Sequence, residues 1–128
     1  MIKEKISNLF KGRINRMQYL FRSIGVFISF VVFIFIIRFV VSDIGGNFSL
    51  AYFIGVLSIP IFLFILFSLV VKRFHDMGYP GIIALLIFVP PVNIIVKFIL
   101  ILYPGQKKIN IYGDIPSKSL SLKKLLFS

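Results

Sequence analysis

Three long apolar stretches alternate with short polar segments along the chain. From Arg22 to Val41 (RSIGVFISFVVFIFIIRFVV) the middle, Ser23 to Ile37, carries no charge. A spanning helix needs about 20 mostly apolar residues, so this stretch is predicted to cross a membrane. Arg22 and Arg38 fall near its ends, where long side chains reach headgroups while their stems stay apolar. From Leu50 to Val71 (LAYFIGVLSIPIFLFILFSLVV) there is no charge at all. Pro60 near its middle predicts a kink and not an end, since membrane helices tolerate Pro. Neither stretch resembles a cleavable signal peptide: the first is long and lacks a small-residue cleavage pattern. With their flanks, the predicted membrane helices are 19–41 and 50–77.

The third stretch, Ile82 to Tyr103 (IIALLIFVPPVNIIVKFILILY), is long enough for one span but is interrupted by Pro90-Pro91. Adjacent prolines remove two amide donors and turn the preceding residue away from helix. As helices the halves would reach about 12 and 17 Å, too short to cross alone. The segment is therefore a strongly kinked span or a re-entrant hairpin. Lys3, Lys5, Lys11, Arg13 and Arg16 precede the first span, and Lys72 and Arg73 follow the second. Lys107, Lys108, Lys118, Lys123 and Lys124 lie in the tail, whereas the loop from Ser42 to Ser49 has no basic residue. The positive-inside rule puts the N-terminus, the second loop and the tail in the cytoplasm. Two full spans already return the chain there, and a third would strand the tail lysines outside. The hairpin is the preferred reading.

In the arm, residues 1–15, Ile2, Ile6, Leu9 and Phe10 recur at helical spacing with lysines elsewhere on the wheel. This predicts a short amphipathic helix at the headgroup level, broken by Gly12. Asn15 and Gln18 have capping-box spacing, so the first membrane helix should start near Arg16. Gly78 with Tyr79-Pro80-Gly81 is a helix stop after the second span. It leaves Lys72 and Asp76 as an i,i+4 pair and Arg73 and Asp76 as an i,i+3 pair. Pro104-Gly105 turns the chain into a basic tail, 104–128, whose end (SLSLKKLLFS) has the character to return to the membrane surface.

Composition narrows the class. Of 128 residues 59% are hydrophobic and only 15% charged, against about 45–50% and 25% in a soluble domain. The mean hydropathy is +1.01. Fifteen basic residues face four acidic ones, a formal net charge of +11. Too little polar surface remains to cover a water-facing globule, which excludes an ordinary soluble enzyme. The basic charge flanks membrane segments, which disfavours nucleic-acid binding. The absence of Cys excludes disulfides, thiolate metal sites and Cys nucleophiles. The chain reads as one membrane domain, 1–128, of the all-α class: two full transmembrane helices, a Pro-broken third segment and an interfacial N-terminal helix.

Three motifs remain: Gly12-Arg13-Ile14-Asn15-Arg16-Met17-Gln18-Tyr19; Lys72-Arg73-Phe74-His75-Asp76-Met77-Gly78-Tyr79-Pro80-Gly81; and Pro104-Gly105 with Asn110-Ile111-Tyr112-Gly113-Asp114-Ile115-Pro116. In order and spacing they resemble the YhaH-like bacterial inner-membrane proteins, the family of domain of unknown function 805. Lys72 stands where that pattern has an Arg, Pro80 where it has a Ser, and Ile82-Ile83 where an aromatic pair is common. The resemblance implies a bacterial cytoplasmic-membrane protein and brings no activity with it.

The His75-Asp76 pair has the chemistry of a general base or metal ligand set. A metal site wants at least three ligands, yet the other candidates are Glu4, Asp114 and Asp43, the last predicted on the opposite side. No metal and no cofactor is expected. The alternative is a helix-terminal cluster in which Asp76 pairs with Arg73 or Arg16. Arg13, Arg16, Lys72 and Arg73 fit an anion pocket, since guanidinium forks match phosphate; topology-setting charge is the plainer reading. Asn110, Tyr112, Gly113 and Pro116 read as a turn that would close that pocket, with Gly12, Gly78 and Gly81 as further structural turns.

The function expected is binding of an anionic lipid headgroup, or of a partner protein, through this cytoplasmic-face cluster. Arg13, Arg16 and Arg73 would hold the anion, Asp76 would orient Arg73 or His75, and Asn110 and Tyr112 would cap it. One alternative is a subunit of an oligomeric transporter or channel using Pro90, Pro91, Asn93 and Lys97. Another is a membrane enzyme acting on lipid or phosphate through His75 and Asp76. Partners would be the bilayer, and a second copy or another membrane protein.

Overall fold

In a computed structural model of the chain, residues 2–43 and 48–116 are described. Helix α1 spans Ile2–Phe10, and its last residue packs edge-on against Phe64 and Phe67 at ring distances of 5.3 and 6.0 Å. The capping box forms as the spacing requires: Gln18 N–H donates to Asn15 Oδ1 at 2.8 Å and Asn15 N–H to Gln18 Oε1 at 3.2 Å. It starts α2, Arg16–Asp43. Helix α3, Phe48–Asp76, carries Pro60 without ending. The two run antiparallel. Ile14 N–H donates to the Lys72 carbonyl at one end, Phe30 stacks on Phe62 at 4.3 Å, and Arg38 lies over the Phe48 ring at the other.

Helices this apolar would form the core of a water-soluble fold. Here none of the most apolar 18-residue window of α2 is buried, and only 22% of that of α3. Phe27, Phe35, Phe39, Phe53 and Ile61 all face outward. Apolar surface of this extent needs an apolar solvent. At 1.5 Å per residue both helices exceed the ~30 Å hydrocarbon layer. The fold is all-α, with two helices long and apolar enough to span a membrane and a third apolar segment that is broken.

The break falls at Val89, which is extended (φ −88°, ψ 111°) because a proline follows it. Pro90 and Pro91 then open α4, Pro90–Leu102. At the first positions of a helix their missing N–H groups forfeit no bond. The first half, Gly81–Phe88, is a 3₁₀ helix, a form the sequence pattern did not foretell. At 2.0 Å per residue it extends about 16 Å, close to the ~20 Å of α4 and longer than an α-helix of the same residues. Asn93 joins the halves by donating to the Ile87 carbonyl at 2.5 Å.

Both ends of this segment lie against the end of α3. Gly81 abuts Val71 and His75, while Arg73 donates to the carbonyls of Leu100 and Tyr103. The segment therefore leaves and returns at one end of the bundle. The buried core sits there too: Ile14, Tyr19, Val70, Phe74, Ala84, Val96 and Leu100 pack together. Residues 44–47 and 117–128, including the basic-apolar end of the tail, lie outside the described residues.

Candidate functional site

Asp76, in the last turn of α3, is buried with its carboxylate between two guanidinium groups. Arg13 Nη2 donates to Oδ1 at 3.0 Å and Arg13 Nε to the same oxygen at 3.2 Å. Arg73 Nη1 donates to Oδ2. All three side chains are almost wholly inaccessible. One carboxylate between two cations leaves one net positive charge, and burial on that scale is tolerated only when the remaining donors also find acceptors.

They do, and the acceptors are backbone. Arg13 Nη1 reaches the carbonyls of Lys108 at 2.7 Å and Gly113 at 3.2 Å, and Nη2 that of Gln106 at 2.6 Å. Arg73 Nε reaches the Leu100 carbonyl at 2.9 Å and Nη1 that of Ile14 at 3.5 Å. Its Nη2 takes the Tyr103 carbonyl. Arg73 thereby supplies donors and positive charge at the C-terminal end of α4, where helix carbonyls lack partners and the dipole is negative. Arg13 ties the N-terminal arm to the segment after α4. Gln106 N–H closes the ring on the Asp76 carbonyl at 2.7 Å.

The third motif joins the first two. Asn110 Nδ2 donates to the His75 carbonyl at 2.9 Å and to Gln106 Oε1 at 3.0 Å, and Asn110 Oδ1 accepts from Tyr112 N–H at 2.9 Å. The Tyr112 ring stacks flat on His75, centroids 4.0 Å apart and planes 3° from parallel. Asn110 and Tyr112 thus close over His75 and not over the arginines. The buried His75 Nδ1 makes no well-formed hydrogen bond, and none joins His75 to Asp76. Gly12, Gly78 and Gly113 have positive φ, and Pro116 is the last described residue.

Several sequence expectations therefore change. The anion that Arg13 and Arg73 hold is the protein's own carboxylate, and their donors face inward. Asp76 pairs with Arg73 as the i,i+3 spacing predicts, and its second partner is Arg13, while Arg16 is exposed. Lys72 is half-buried and makes no ion pair with Asp76, despite its i,i+4 spacing. Lys97 is exposed on α4. Among the described residues no three of His, Cys, Asp and Glu come together.

Two further residues contribute. Gln106 links Asp76, Arg13 and Asn110. Gly105 does more than turn the chain: a Cβ there would lie 1.8 Å from Asp76 Oδ2. Glycine is needed because the carboxylate occupies the side-chain space.

No curated protein and no solved structure matches the chain. A family model described as "Protein of unknown function (DUF805)" matches residues 8–114, a range holding every residue of the buried hydrogen-bond network around Asp76, which we call the polar knot. The chain belongs to the DUF805 family.

Proposed function

We propose that this is a small multi-pass protein of the bacterial cytoplasmic membrane whose knotted end faces the cytoplasm and binds anionic lipid headgroups. The observation that carries the reading is the division of labour among its cations. Arg13 and Arg73 are taken internally, and the same network holds other cations at its rim by their backbones. Lys108 gives its carbonyl to Arg13 while its side chain is exposed. Lys72 gives its carbonyl to Ile14 N–H, and exposed Arg16 follows directly on the capping Asn15. Cations at an anionic membrane surface contribute about 1 kcal/mol each, and a fixed set adds orientation. The return of the third segment to the end of α3 supports a re-entrant path, with the tail on the side of the N-terminus.

Two measurements test this. A fluorescent protein and alkaline phosphatase, fused separately after Ser128, should give fluorescence without phosphatase activity; the reverse would put the tail outside and end the proposal. Native mass spectrometry with phosphatidylglycerol should show fewer bound lipids for Arg16→Gln/Lys72→Gln/Lys108→Gln, with folding intact. Unchanged lipid retention in that variant would refute headgroup binding at the rim.

A further inference from the structure

At the opposite end of the α2–α3 pair the helices part around a groove of about 350 Å³, within the ~300–1,000 Å³ typical of small-molecule sites. Phe30, Ile34 and Ile59 line its apolar part, and Ala51 and Gly55 leave it open by supplying almost no side chain. Arg38 stands at its wall. The guanidinium lies over the Phe48 ring, 5.8 Å from the centroid, and makes no ion pair among the described residues. Its stacked face is satisfied by the ring, while its N–H edge has no protein acceptor among those residues.

Height identifies what belongs there. From Arg16 to Arg38 the helix rises about 33 Å, so with Arg16 at one boundary of a ~30 Å hydrocarbon layer Arg38 stands at the other. A groove that is apolar along its length and cationic at the phosphate level complements one class of molecule in a bilayer. We infer that this groove is a phospholipid site of the leaflet opposite the knot: an acyl chain lies between α2 and α3, and the lipid phosphate accepts hydrogen bonds from Arg38. A guanidinium edge suits this role, because its paired N–H groups match two phosphate oxygens. The site shares no residue with the basic rim and is independent of the headgroup binding proposed there.

The test uses the full chain in phosphatidylcholine vesicles containing phosphatidylglycerol with a photoactivatable diazirine in its acyl chain. Labelled peptides are mapped by mass spectrometry. Label should concentrate on segments 30–38 and 48–59. It should fall about tenfold in Arg38→Gln, the loss expected for one charge-assisted contact. Gly55→Leu, which fills the groove and leaves the charge in place, should reduce it similarly. The same chain on diacylglycerol, which lacks the phosphate, should label the groove as weakly as Arg38→Gln does. Label spread evenly over the outward faces of α2 and α3, or unaffected by both substitutions, would overturn the site. So would cross-links between two copies of the protein at these segments formed by an added bifunctional photo-reagent, since the groove would then hold a second chain.

Discussion

The two ends of the α2–α3 pair are built on opposite principles. At one end a carboxylate, two guanidinium groups and a set of backbone carbonyls are sealed from solvent with nearly every donor engaged. Towards the other the helices meet at mid-length through the Phe30–Phe62 stack and then part around an open groove. Lipid is as apolar as the side chains it touches, so burying Phe and Ile between helices gains little there. Cohesion is concentrated at one end, where polar ties join the buried core. Those ties also hold the broken segment, whose 3₁₀ half and α4 are each too short to span alone.

The contrast can be broken most severely at Asp76. Asp76→Ala would leave two buried guanidinium groups facing each other without a counter-ion, a loss of about 3–5 kcal/mol. Thermal unfolding in detergent, with proteolysis of the 104–116 segment, should show that end opening first; a melting curve like that of the parent would mean the knot does not hold the fold. Glycine substitutions compare the polar end with the outward-facing length of α2. Gly105→Ala forces a Cβ into the Asp76 carboxylate and should cost about 1–3 kcal/mol as an overpacked site. Gly25→Ala meets nothing within 4 Å on α2 and should stabilise by up to about 1 kcal/mol through helix propensity. Equal effects on the melting temperature would erase the distinction.

Smaller changes sharpen it. Asn93→Ala removes the donor to the Ile87 carbonyl and should cost about 1 kcal/mol, seen as faster amide exchange around Val89. No change in exchange there would mean the link between the halves is dispensable. Phe53→Leu, on the outward face of α3, should stay within about 0.5 kcal/mol. A larger loss of melting temperature would reveal a protein contact where lipid is expected.

Much of the architecture was legible because it follows from local rules. The apolar runs fix where chain can cross a membrane. The Asn15/Gln18 spacing produced the capping box, and Pro90-Pro91 produced a break at the residue before them. The candidate residues were also legible as residues: Arg13, Arg73, His75, Asp76, Asn110 and Tyr112 do meet at one end. Half of their pairing was: Arg73 meets Asp76 at its i,i+3 spacing, but nothing local assigns the second place to Arg13. Arg16 and Lys72 are as close to the cluster in sequence as Arg13 and Arg73, and helical spacing alone gives Lys72 an equal claim on Asp76. The 3₁₀ form of Gly81–Phe88 was illegible too, since its all-apolar sequence has no period to distinguish it from an α-helix.

The sequence by itself determined how much of this chain must lie in an apolar solvent, where its helices start and where the third one breaks, because hydropathy, caps and prolines act over a few residues. Only the tertiary structure decided that Arg13, and neither Arg16 nor Lys72, joins Arg73 at Asp76. Four of the acceptors in the knot are the carbonyls of Leu100, Tyr103, Gln106 and Lys108, and every residue carries a carbonyl. Which of them face an arginine depends on the segment folding back to the end of α3, where a buried guanidinium takes whatever acceptors that return brings within reach.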